Sequence, residues 1–342
     1  MGEIEQTIPF LLEGKDLSAV RMQRCFEEVM GPAADPIAVS AFLIALRMKG
    51  ETVEEITAAA KVLRKFVKPV KMDGKALLDT CGTGGDRSGT FNISTLSALV
   101  AAGAGAVVAK HGNRSVSSRC GSADLLEKLG VDVEQLALRA EEALKRCGIV
   151  FLFAPAFHPA MRHVASVRRS LGVRTIFNIL GPLANPASAR HQLLGVFSPE
   201  LTRPMAEVLK ALGSRHVLVV HGLDGLDEVT TTGATAVTEL KQGRLRSFKI
   251  HPKRFGIKTA AALRLKGGDA KTNARMAEAI LSGQKGARRD IVLLNAACAL
   301  YAADRAGSIG EGLDQAKDAV DSGKALEKLK LLREFSRRKG AR

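Results

Sequence analysis

The chain has 342 residues, 46% of them hydrophobic and 25% charged, a balance typical of a globular protein with an extensive core. The formal net charge of +16 would suit a nucleic-acid-binding protein, but the basic residues are spread along the whole chain and no zinc-knuckle, RRM or helix-turn-helix pattern occurs. We therefore favour a cationic surface that attracts a small polyanion, with no nucleic-acid partner.

The cysteines and the apolar runs exclude two further classes. The five cysteines are scattered and never spaced as C-x-x-C, which argues against a disulfide framework or a structural zinc site. No apolar run reaches the roughly 18 residues of a membrane span. The N-terminal residues also lack a signal-peptide pattern, so we expect a cytoplasmic protein without a membrane partner.

Helix signals dominate the first 68 residues. Ser18 is placed to cap one helix, and Pro36 falls in the first turn of the next. Thr52 begins a capping box ahead of a third helix. We predict a helical domain over residues 1–70, joined by helices from about residues 157–185.

Beyond the helical domain, short apolar runs alternate with helical patterns, as in a parallel sheet covered by helices. These runs lie at residues 76–78, 106–109, 149–153, 192–196 and 216–220. Residues 236–240 and 245–250 then predict a hairpin, and three helical segments follow, the clearest over residues 289–306. The sequence thus predicts an α/β fold: a small all-helical N-terminal domain plus a large α/β domain, residues 71–342, with a mostly parallel central sheet flanked by helices.

A glycine-rich segment, residues 79–86, follows the first predicted strand. Gly82, Gly84 and Gly85 let the backbone approach a ligand closely, and exposed amides in such a turn attract an anion. A simple tight turn is the alternative, but the density of hydroxyl side chains around it favours a binding loop. No Walker A pattern occurs, and Arg87 stands where G-x-G-x-x-G needs its third glycine. The sequence predicts a phosphate loop of another kind.

A second polar segment, residues 110–118, follows the next predicted strand. Lys110 and Arg114 bring positive charge, and the segment ends before a helix for which Ser122 is the expected N-cap. A solvated surface loop is the alternative. Because ligands of parallel sheets bind at the carboxyl ends of strands, we predict that this segment belongs to the anion site.

Adjacent carboxylates occur at residues 224–228, after the strand predicted at 216–220. Asp227 and Glu228 could share Mg²⁺ with substrate phosphates, because Mg²⁺ prefers oxygen ligands and keeps several waters. Taken alone, an acidic turn or helix cap is the slightly better interpretation. Beside two anion-binding segments, the metal interpretation prevails.

Residues 157–169 form a basic helical pattern in which Arg168 could bind a substrate carboxylate bidentately. A solvated basic helix explains the pattern equally well. We expect His158 and His163 to be packing or capping residues rather than catalysts. Neither G-x-S-x-G nor H-E-x-x-H occurs, so nothing predicts a covalent nucleophile.

Together these segments resemble the anthranilate phosphoribosyltransferase family of nucleoside-phosphorylase-like transferases. The resemblance runs nearly the whole length, and its most specific pieces are residues 82–86, 92–95, 110–114, 121–124, 178–186 and 224–228. It implies transfer of the 5-phosphoribosyl group from 5-phosphoribosyl 1-pyrophosphate to anthranilate, giving N-(5-phosphoribosyl)anthranilate and pyrophosphate in tryptophan biosynthesis. It also implies a homodimer formed through the helical domain.

The resemblance implies a set of site residues that position the substrates and a metal, with no covalent nucleophile. For 5-phosphoribosyl 1-pyrophosphate they are Gly82, Gly85, Asp86, Thr90, Asn92, Ile93, Ser94, Thr95, Lys110, His111, Gly112, Asn113, Arg114, Ser115, Val116, Ser117, Ser118 and Ser122. For anthranilate they are Gly82, Asn113 and Arg168, and for Mg²⁺, expected as two ions, they are Ser94, Asp227 and Glu228.

The sequence departs from the family pattern near the second substrate. Ser166 and Ser170 replace a common Pro and Glu, and Cys120 stands where Ser is usual. Two alternative functions remain: a pyrimidine-nucleoside phosphorylase of the same fold, and a non-catalytic relative that binds nucleic acid. The retained residues 92–95 and 227–228 argue against the phosphorylase.

Overall fold

The structure is a computed structural model that describes residues 2–72, 76–86, 88–115 and 119–337. Four helices come first: α1 (Glu3–Leu12), α2 (Ala19–Val29), α3 (Pro36–Lys49) and α4 (Val53–Lys65). Local capping fixes where they begin: Ser18 accepts a hydrogen bond from the Arg21 amide at 3.4 Å, and Thr52 and Glu55 form the predicted capping box. The helix starts inferred at Ser18, Pro36 and Thr52 are all present.

The α/β part begins at residue 77. Its elements up to residue 222 are β1 (Leu77–Gly82), α5 (Ile93–Gly103), β2 (Val107–Gly112), α6 (Ser122–Lys128), α7 (Val133–Leu138), α8 (Ala140–Cys147), β3 (Ile149–Phe153), α9 (Ala154–Phe157), α10 (Met161–Leu171), α11 (Phe177–Leu180), β4 (His191–Gly195), α12 (Thr202–Ala211) and β5 (His216–Gly222). The remainder are β6 (Thr235–Lys241), β7 (Arg244–Ile250), α13 (Ala270–Leu281), α14 (Ala287–Ala302), α15 (Ile309–Asp321) and α16 (Lys324–Arg337). Among the described residues, no helix is long and apolar enough to cross a membrane.

The seven strands found among the described residues form one sheet in the order β3-β2-β1-β4-β5-β6-β7. The first five in this order pair in parallel, whereas β6 and β7 add an antiparallel hairpin at one edge. The predicted fold class, helical N-terminal domain and mostly parallel sheet included, is confirmed.

Two strands run further than the sequence predicted. β1 continues to Gly82 and β2 to Gly112, where strand ends were expected at residues 78 and 109. The extension follows from pairing, because β1 stays in parallel register with β4 up to Gly82 opposite Gly195, and β2 with β3 up to Gly112 opposite Phe153. The first residues of both predicted loops are therefore strand residues on a fixed frame.

The sheet separates two hydrophobic cores, because successive side chains of a strand point to opposite faces. In β4, Leu193 joins the core beneath α5 and α14, and Leu194 joins the core continuous with the N-terminal helices. Val164 and Val167 of α10 are buried in this second core. These contacts support the proposed division, in which residues 157–185 join the helical domain.

Candidate functional site

The candidate site lies at the carboxyl ends of β1, β2, β4 and β5. β1 and β4 are neighbours in the sheet, but the chain runs from β1 to β2 on one side and from β4 to β5 on the other. A crevice opens where connections diverge in this way, and ligands of open α/β sheets bind there. The topology therefore singles out the loops after β1 and β4.

The loop after β1 is an open glycine turn. Gly84 and Gly85 have φ angles of 67° and 77°, which L side chains rarely adopt. The Thr83 amide donates to the Gly195 carbonyl at 2.9 Å, which ties the start of the turn to β4. A Cβ at position 82 would lie 2.6 Å from Oδ2 of Asp227, so a side chain there would displace the Asp227 carboxylate.

The acidic segment packs directly against this turn. The Gly84 amide donates to Oδ2 of Asp227 at 2.8 Å, and the Ser94 amide, in the first turn of α5, donates to Oε1 of Glu228 at 3.1 Å. The Asp227 amide lies 3.5 Å from Oδ2 of Asp86. Ser94, Asp227 and Glu228, the three residues predicted to hold a metal, are thus brought to one place from distant parts of the chain.

Lys110 extends a buried ammonium group into the same crevice. Its Nζ donates to the Thr80 carbonyl and lies 3.2 Å from Oγ of Ser94. Burial lowers the pKa of Lys110, while the carboxylates of Asp79 and Glu228 oppose that change. The site therefore places a buried cation beside the buried carboxylate of Asp79 and the half-buried carboxylates of Asp227 and Glu228.

The surroundings of Asp227 and Glu228 disfavour the ionised forms of these carboxyl groups. Loss of solvation raises the pKa of Asp227 to about 7, and repulsion from Asp86 adds to it. Burial, and then the charge of Asp227, raise the pKa of Glu228 well above its ordinary value. A divalent cation would stabilise the ionised form of both side chains.

The residues present suit a Mg²⁺ ion that is shared with substrate phosphates better than a metal ion coordinated by protein side chains alone. Within residues 2–72, 76–86, 88–115 and 119–337, no three acidic, His or Cys side chains form a group able to hold a metal ion. Mg²⁺ is commonly bound by one or two carboxylates together with waters and substrate phosphates. Asp227 and Glu228 match that pattern.

The segment after β2 is more exposed. Asn113 is solvent-accessible, and the guanidinium of Arg114 pairs with Glu127, its Nη2 lying 2.6 Å from Oε1. Residues 116–118, predicted to bind phosphate, lie outside the described residues. In this structure Arg114 is therefore engaged by an acidic partner on α6.

The start of α6 corrects one prediction. Ser122 is the first helical residue and Gly121 is the N-cap. The carboxylate of Asp124 accepts the Gly121 amide at 2.7 Å and the Ser115 amide at 3.0 Å, so it ties the N-cap residue and the preceding loop to the first turn of the helix. The Ser122 hydroxyl instead accepts a hydrogen bond from Oγ1 of Thr95 at 3.0 Å.

The residues before α5 are held by structural contacts. Nδ2 of Asn92 donates to the Cys120 carbonyl at 3.0 Å, and Thr90 forms an isolated antiparallel bridge to the segment before α13. The Ile93 side chain is buried, and its amide donates to the Phe91 carbonyl at 2.8 Å. These contacts hold the segment that leads into α5, whose first turn touches Glu228 through the Ser94 amide.

Arg168 lies on α10, which packs against α3 of the helical domain. Its Cζ stands 5.2 Å from the centroid of the Phe177 ring, and desolvation lowers its pKa. Among the described side chains, no acidic group lies within 4.0 Å of its guanidinium. A substrate carboxylate would supply the missing counter-charge.

Two histidines meet between the strands and α9. Nε2 of His158 lies 3.1 Å from Nε2 of His111, and Nδ1 of His111 donates to the Gly181 carbonyl at 3.2 Å. Burial lowers the pKa of His111 to about 3 and that of His158 to about 4, so both rings are neutral. With Nδ1 of His111 protonated, its Nε2 accepts the proton of His158, which fixes both tautomers.

Sequence reasoning missed three side chains that shape the site. Arg174 donates to the Gly85 carbonyl, and Asn185 donates to Oδ2 of Asp79 at 2.7 Å. Asn273, on α13, donates to Oδ1 of Asn92 at 3.1 Å. Asn185 falls in the segment 178–186 already singled out, but no local pattern marked Arg174 or Asn273.

Comparison with known proteins places the whole chain among glycosyl transferases. The helical bundle domain of the glycosyl transferase family matches residues 7–67, and its a/b domain matches residues 74–326. The anthranilate phosphoribosyltransferase of Roseiflexus castenholzii is 52% identical over 331 residues, covering 96% of this chain and 97% of that protein. That of Acetivibrio thermocellus is 47% identical over 333 residues, covering 97% and 96%.

Solved structures agree with these relatives. The crystal structure of anthranilate phosphoribosyltransferase from Thermus thermophilus has a TM-score of 0.92 and 44% identity, covering 99% of this chain and 100% of that one. The Saccharomyces cerevisiae enzyme in complex with 5-phosphoribosyl 1-pyrophosphate and Mg has a TM-score of 0.90 and 30% identity, covering 97% of both chains. A complex of the yeast enzyme with 4-fluoroanthranilate has a TM-score of 0.86 and 29% identity, again covering 97% of each.

Proposed function

The chain belongs to the anthranilate phosphoribosyltransferase family, and we propose that it transfers the 5-phosphoribosyl group of 5-phosphoribosyl 1-pyrophosphate to the amino group of anthranilate. The products are N-(5-phosphoribosyl)anthranilate and pyrophosphate, as in tryptophan biosynthesis. The observation that carries the proposal is the contact between the glycine turn and the acidic segment, in which the Gly84 amide lies 2.8 Å from Oδ2 of Asp227.

The pyrophosphate half of the site is assigned to groups that attract anions. The glycine turn and the N-terminus of α5, whose Gly84 and Ser94 amides donate to Asp227 and Glu228 in this structure, are assigned to phosphate oxygens. The buried ammonium of Lys110 adds positive charge. Fixed dipoles in a partly desolvated crevice stabilise developing negative charge without reorganising. These groups assist the departure of pyrophosphate.

Ser94, Asp227 and Glu228 are the residues we assign to Mg²⁺, expected as two ions. When bound, Mg²⁺ neutralises charge on the pyrophosphate leaving group. Desolvation, and then repulsion between the carboxylates, raises the pKa of Asp227 and Glu228; this supports the assignment, because a bound cation would stabilise their ionised forms. The yeast relative has been solved with Mg and 5-phosphoribosyl 1-pyrophosphate together.

Arg168 is assigned to the anthranilate carboxylate, with Asn113 and Gly82 bordering the same substrate. The anthranilate amine is uncharged at neutral pH, so attack on the ribose C1 does not demand a strong general base. Alignment of the amine with C1 is the main contribution of this half of the site.

The assembly we propose is a homodimer formed through the helical domain. Exposed apolar side chains on that domain support it: Val20 is 60% exposed, Ile37 78% and Met48 79%. Size-exclusion chromatography with light scattering should give twice the monomer mass of 36.3 kDa. A cytoplasmic location remains a prediction.

The decisive experiment follows the fluorescence of anthranilate after addition of 5-phosphoribosyl 1-pyrophosphate and Mg²⁺. Consumption of anthranilate should require both additions. Calorimetric binding of a pyrimidine nucleoside without binding of 5-phosphoribosyl 1-pyrophosphate would support the phosphorylase alternative instead. Salt-sensitive DNA binding without turnover would support the nucleic-acid-binding alternative.

A further inference from the structure

Arg174 lies in the loop between α10 and α11, and its side chain reaches the glycine turn after β1. α10, which carries Arg168, ends at Gly172 in a left-handed conformation with a φ angle of 60°. The chain then reverses, and Thr175 begins a short capped turn in which its amide donates to Oδ1 of Asn178 at 3.0 Å. The left-handed Gly172 before Arg174 and the hydrogen-bonded turn after it therefore define the backbone on both sides of this residue.

The guanidinium of Arg174 lies against the glycine turn. Nη2 donates to the Gly85 carbonyl, and a Cβ built on Gly85 would stand 3.5 Å from both Nε and Nη2. On its other side, Cζ lies 4.1 Å from the centroid of the Phe197 ring. The Phe197 amide in turn donates to Oγ1 of Thr83 at 3.1 Å. The side chain is thus held between the loops that follow β1 and β4.

This contact matters because the turn is built from glycine. Two consecutive positive φ angles at Gly84 and Gly85 are accessible to a flexible backbone, but holding them costs conformational entropy. Amides bind an anion well only when the turn is already in the binding conformation. A planar guanidinium, stacked and hydrogen-bonded, is suited to fix such a turn and adds positive charge beside it.

The segment that positions Arg174 also carries the residue assigned to the second substrate. Arg168 and Arg174 are six positions apart, joined by the left-handed Gly172. Any shift of this segment on binding a carboxylate at Arg168 would reach the glycine turn through the Arg174 guanidinium. Contacts that respond to both ligands are the physical basis of coupling between sites.

We propose that Arg174 is a positioning residue that holds the Gly84–Gly85 turn in its anion-binding conformation and thereby couples the two substrate sites. The proposal rests on the assigned transferase function. Binding of one substrate should then raise the affinity for the other, and by thermodynamic linkage the factor is the same in both directions.

The test compares Arg174→Ala with Arg174→Lys and with Arg169→Ala, a matched control on the same segment whose side chain is exposed. Calorimetry with Mg²⁺ measures the Kd of 5-phosphoribosyl 1-pyrophosphate alone. Initial rates over a matrix of both substrate concentrations give the coupling factor, as the ratio of the dissociation constant to the Michaelis constant. Circular dichroism melts report folding.

We expect Arg174→Ala to raise the Kd about tenfold or more, the scale of a lost charged hydrogen bond, and to move the coupling factor towards one. Arg174→Lys should recover part of the affinity because it keeps the charge and a donor, although it lacks the planar stack. Arg169→Ala should behave as wild type. A coupling factor unchanged in Arg174→Ala, or a Kd within twofold of wild type, would overturn the proposal.

The outcome separates this inference from the proposed function. A wild-type protein that binds 5-phosphoribosyl 1-pyrophosphate but never consumes anthranilate would refute the function, while the calorimetric comparison would still decide whether Arg174 holds the turn. If Arg174→Ala melted at a much lower temperature, Arg174→Lys would supply the decisive comparison. Wild-type affinity for Arg174→Ala together with wild-type turnover would refute the inference alone.

Discussion

Gly195 offers the sharpest test of how the fold positions the acidic segment. This residue ends β4 opposite Gly82 of β1, and the backbone of Asp227 crosses directly over it. A Cβ at position 195 would lie 1.6 Å from the Asp227 carbonyl oxygen and 2.5 Å from its carbonyl carbon. The φ angle of Gly195 is not in the left-handed region, so Gly195→Ala introduces a contact without straining its own backbone.

The size of the effect follows from that distance. Ordinary contacts of a Cβ begin near 3.4 Å, so the Asp227 carbonyl must retreat by about 1.8 Å. A displacement of about 1 Å in an active site can reduce rates about 100-fold. We therefore expect kcat/KM to fall at least about 100-fold, or roughly 2.7 kcal/mol in transition-state stabilisation. Overpacking should also destabilise the fold by about 1–3 kcal/mol.

The assay is the fluorescence of anthranilate at varied concentrations of 5-phosphoribosyl 1-pyrophosphate and Mg²⁺, with thermal melts alongside. Gly233→Ala is the matched control, because no atom lies within 4 Å of its Cβ position and its φ angle is not left-handed. It should retain wild-type kinetics. A folded Gly195→Ala protein with kcat/KM within threefold of wild type would show that the position of Asp227 does not limit the reaction.

Three further predictions concern the crevice. Asp227→Asn combined with Glu228→Gln should abolish turnover yet leave a folded protein by circular dichroism, because burial already disfavours the charges of these carboxylates; normal activity would reject the metal assignment. Arg168→Ala should raise the KM for anthranilate more than that for 5-phosphoribosyl 1-pyrophosphate, and equal effects would reject its selective role. Burial lowers the pKa of His158 to about 4, so the unfolded chain binds its proton first, and the unfolding temperature should fall as the pH drops from about 6.5 towards 4. In His158→Asn that fall should be smaller, and an identical pH profile would contradict the neutral assignment.

Much of the architecture was predictable because it depends on local signals. Ser18 and Thr52 mark helix starts through hydrogen bonds that span only three residues. The alternation of apolar runs and helical patterns predicts a parallel sheet, since parallel strands need a crossover between them. The glycines at positions 84 and 85 indicate a turn with positive φ angles, which other residues rarely adopt.

The strand ends and the N-cap of α6 were not predictable in this way. β1 and β2 are extended by pairing with β4 and β3, partners that the local sequence does not specify. At α6, the N-cap is Gly121 rather than Ser122, and the preceding loop brings the Ser115 amide to the Asp124 carboxylate in the first turn. Both outcomes depend on tertiary neighbours rather than on propensity.

The sequence by itself determined which residue types carry the chemistry: a glycine turn, a basic segment, a pair of carboxylates and Arg168. Only the tertiary structure decided that Gly84 meets Asp227 across 143 positions, that Gly195 must lack a side chain, and that Arg174 lies on the turn. Local conformational preferences are encoded in neighbouring residues. These long-range contacts depend instead on the order of the strands and on the two cores that pack on either face of the sheet.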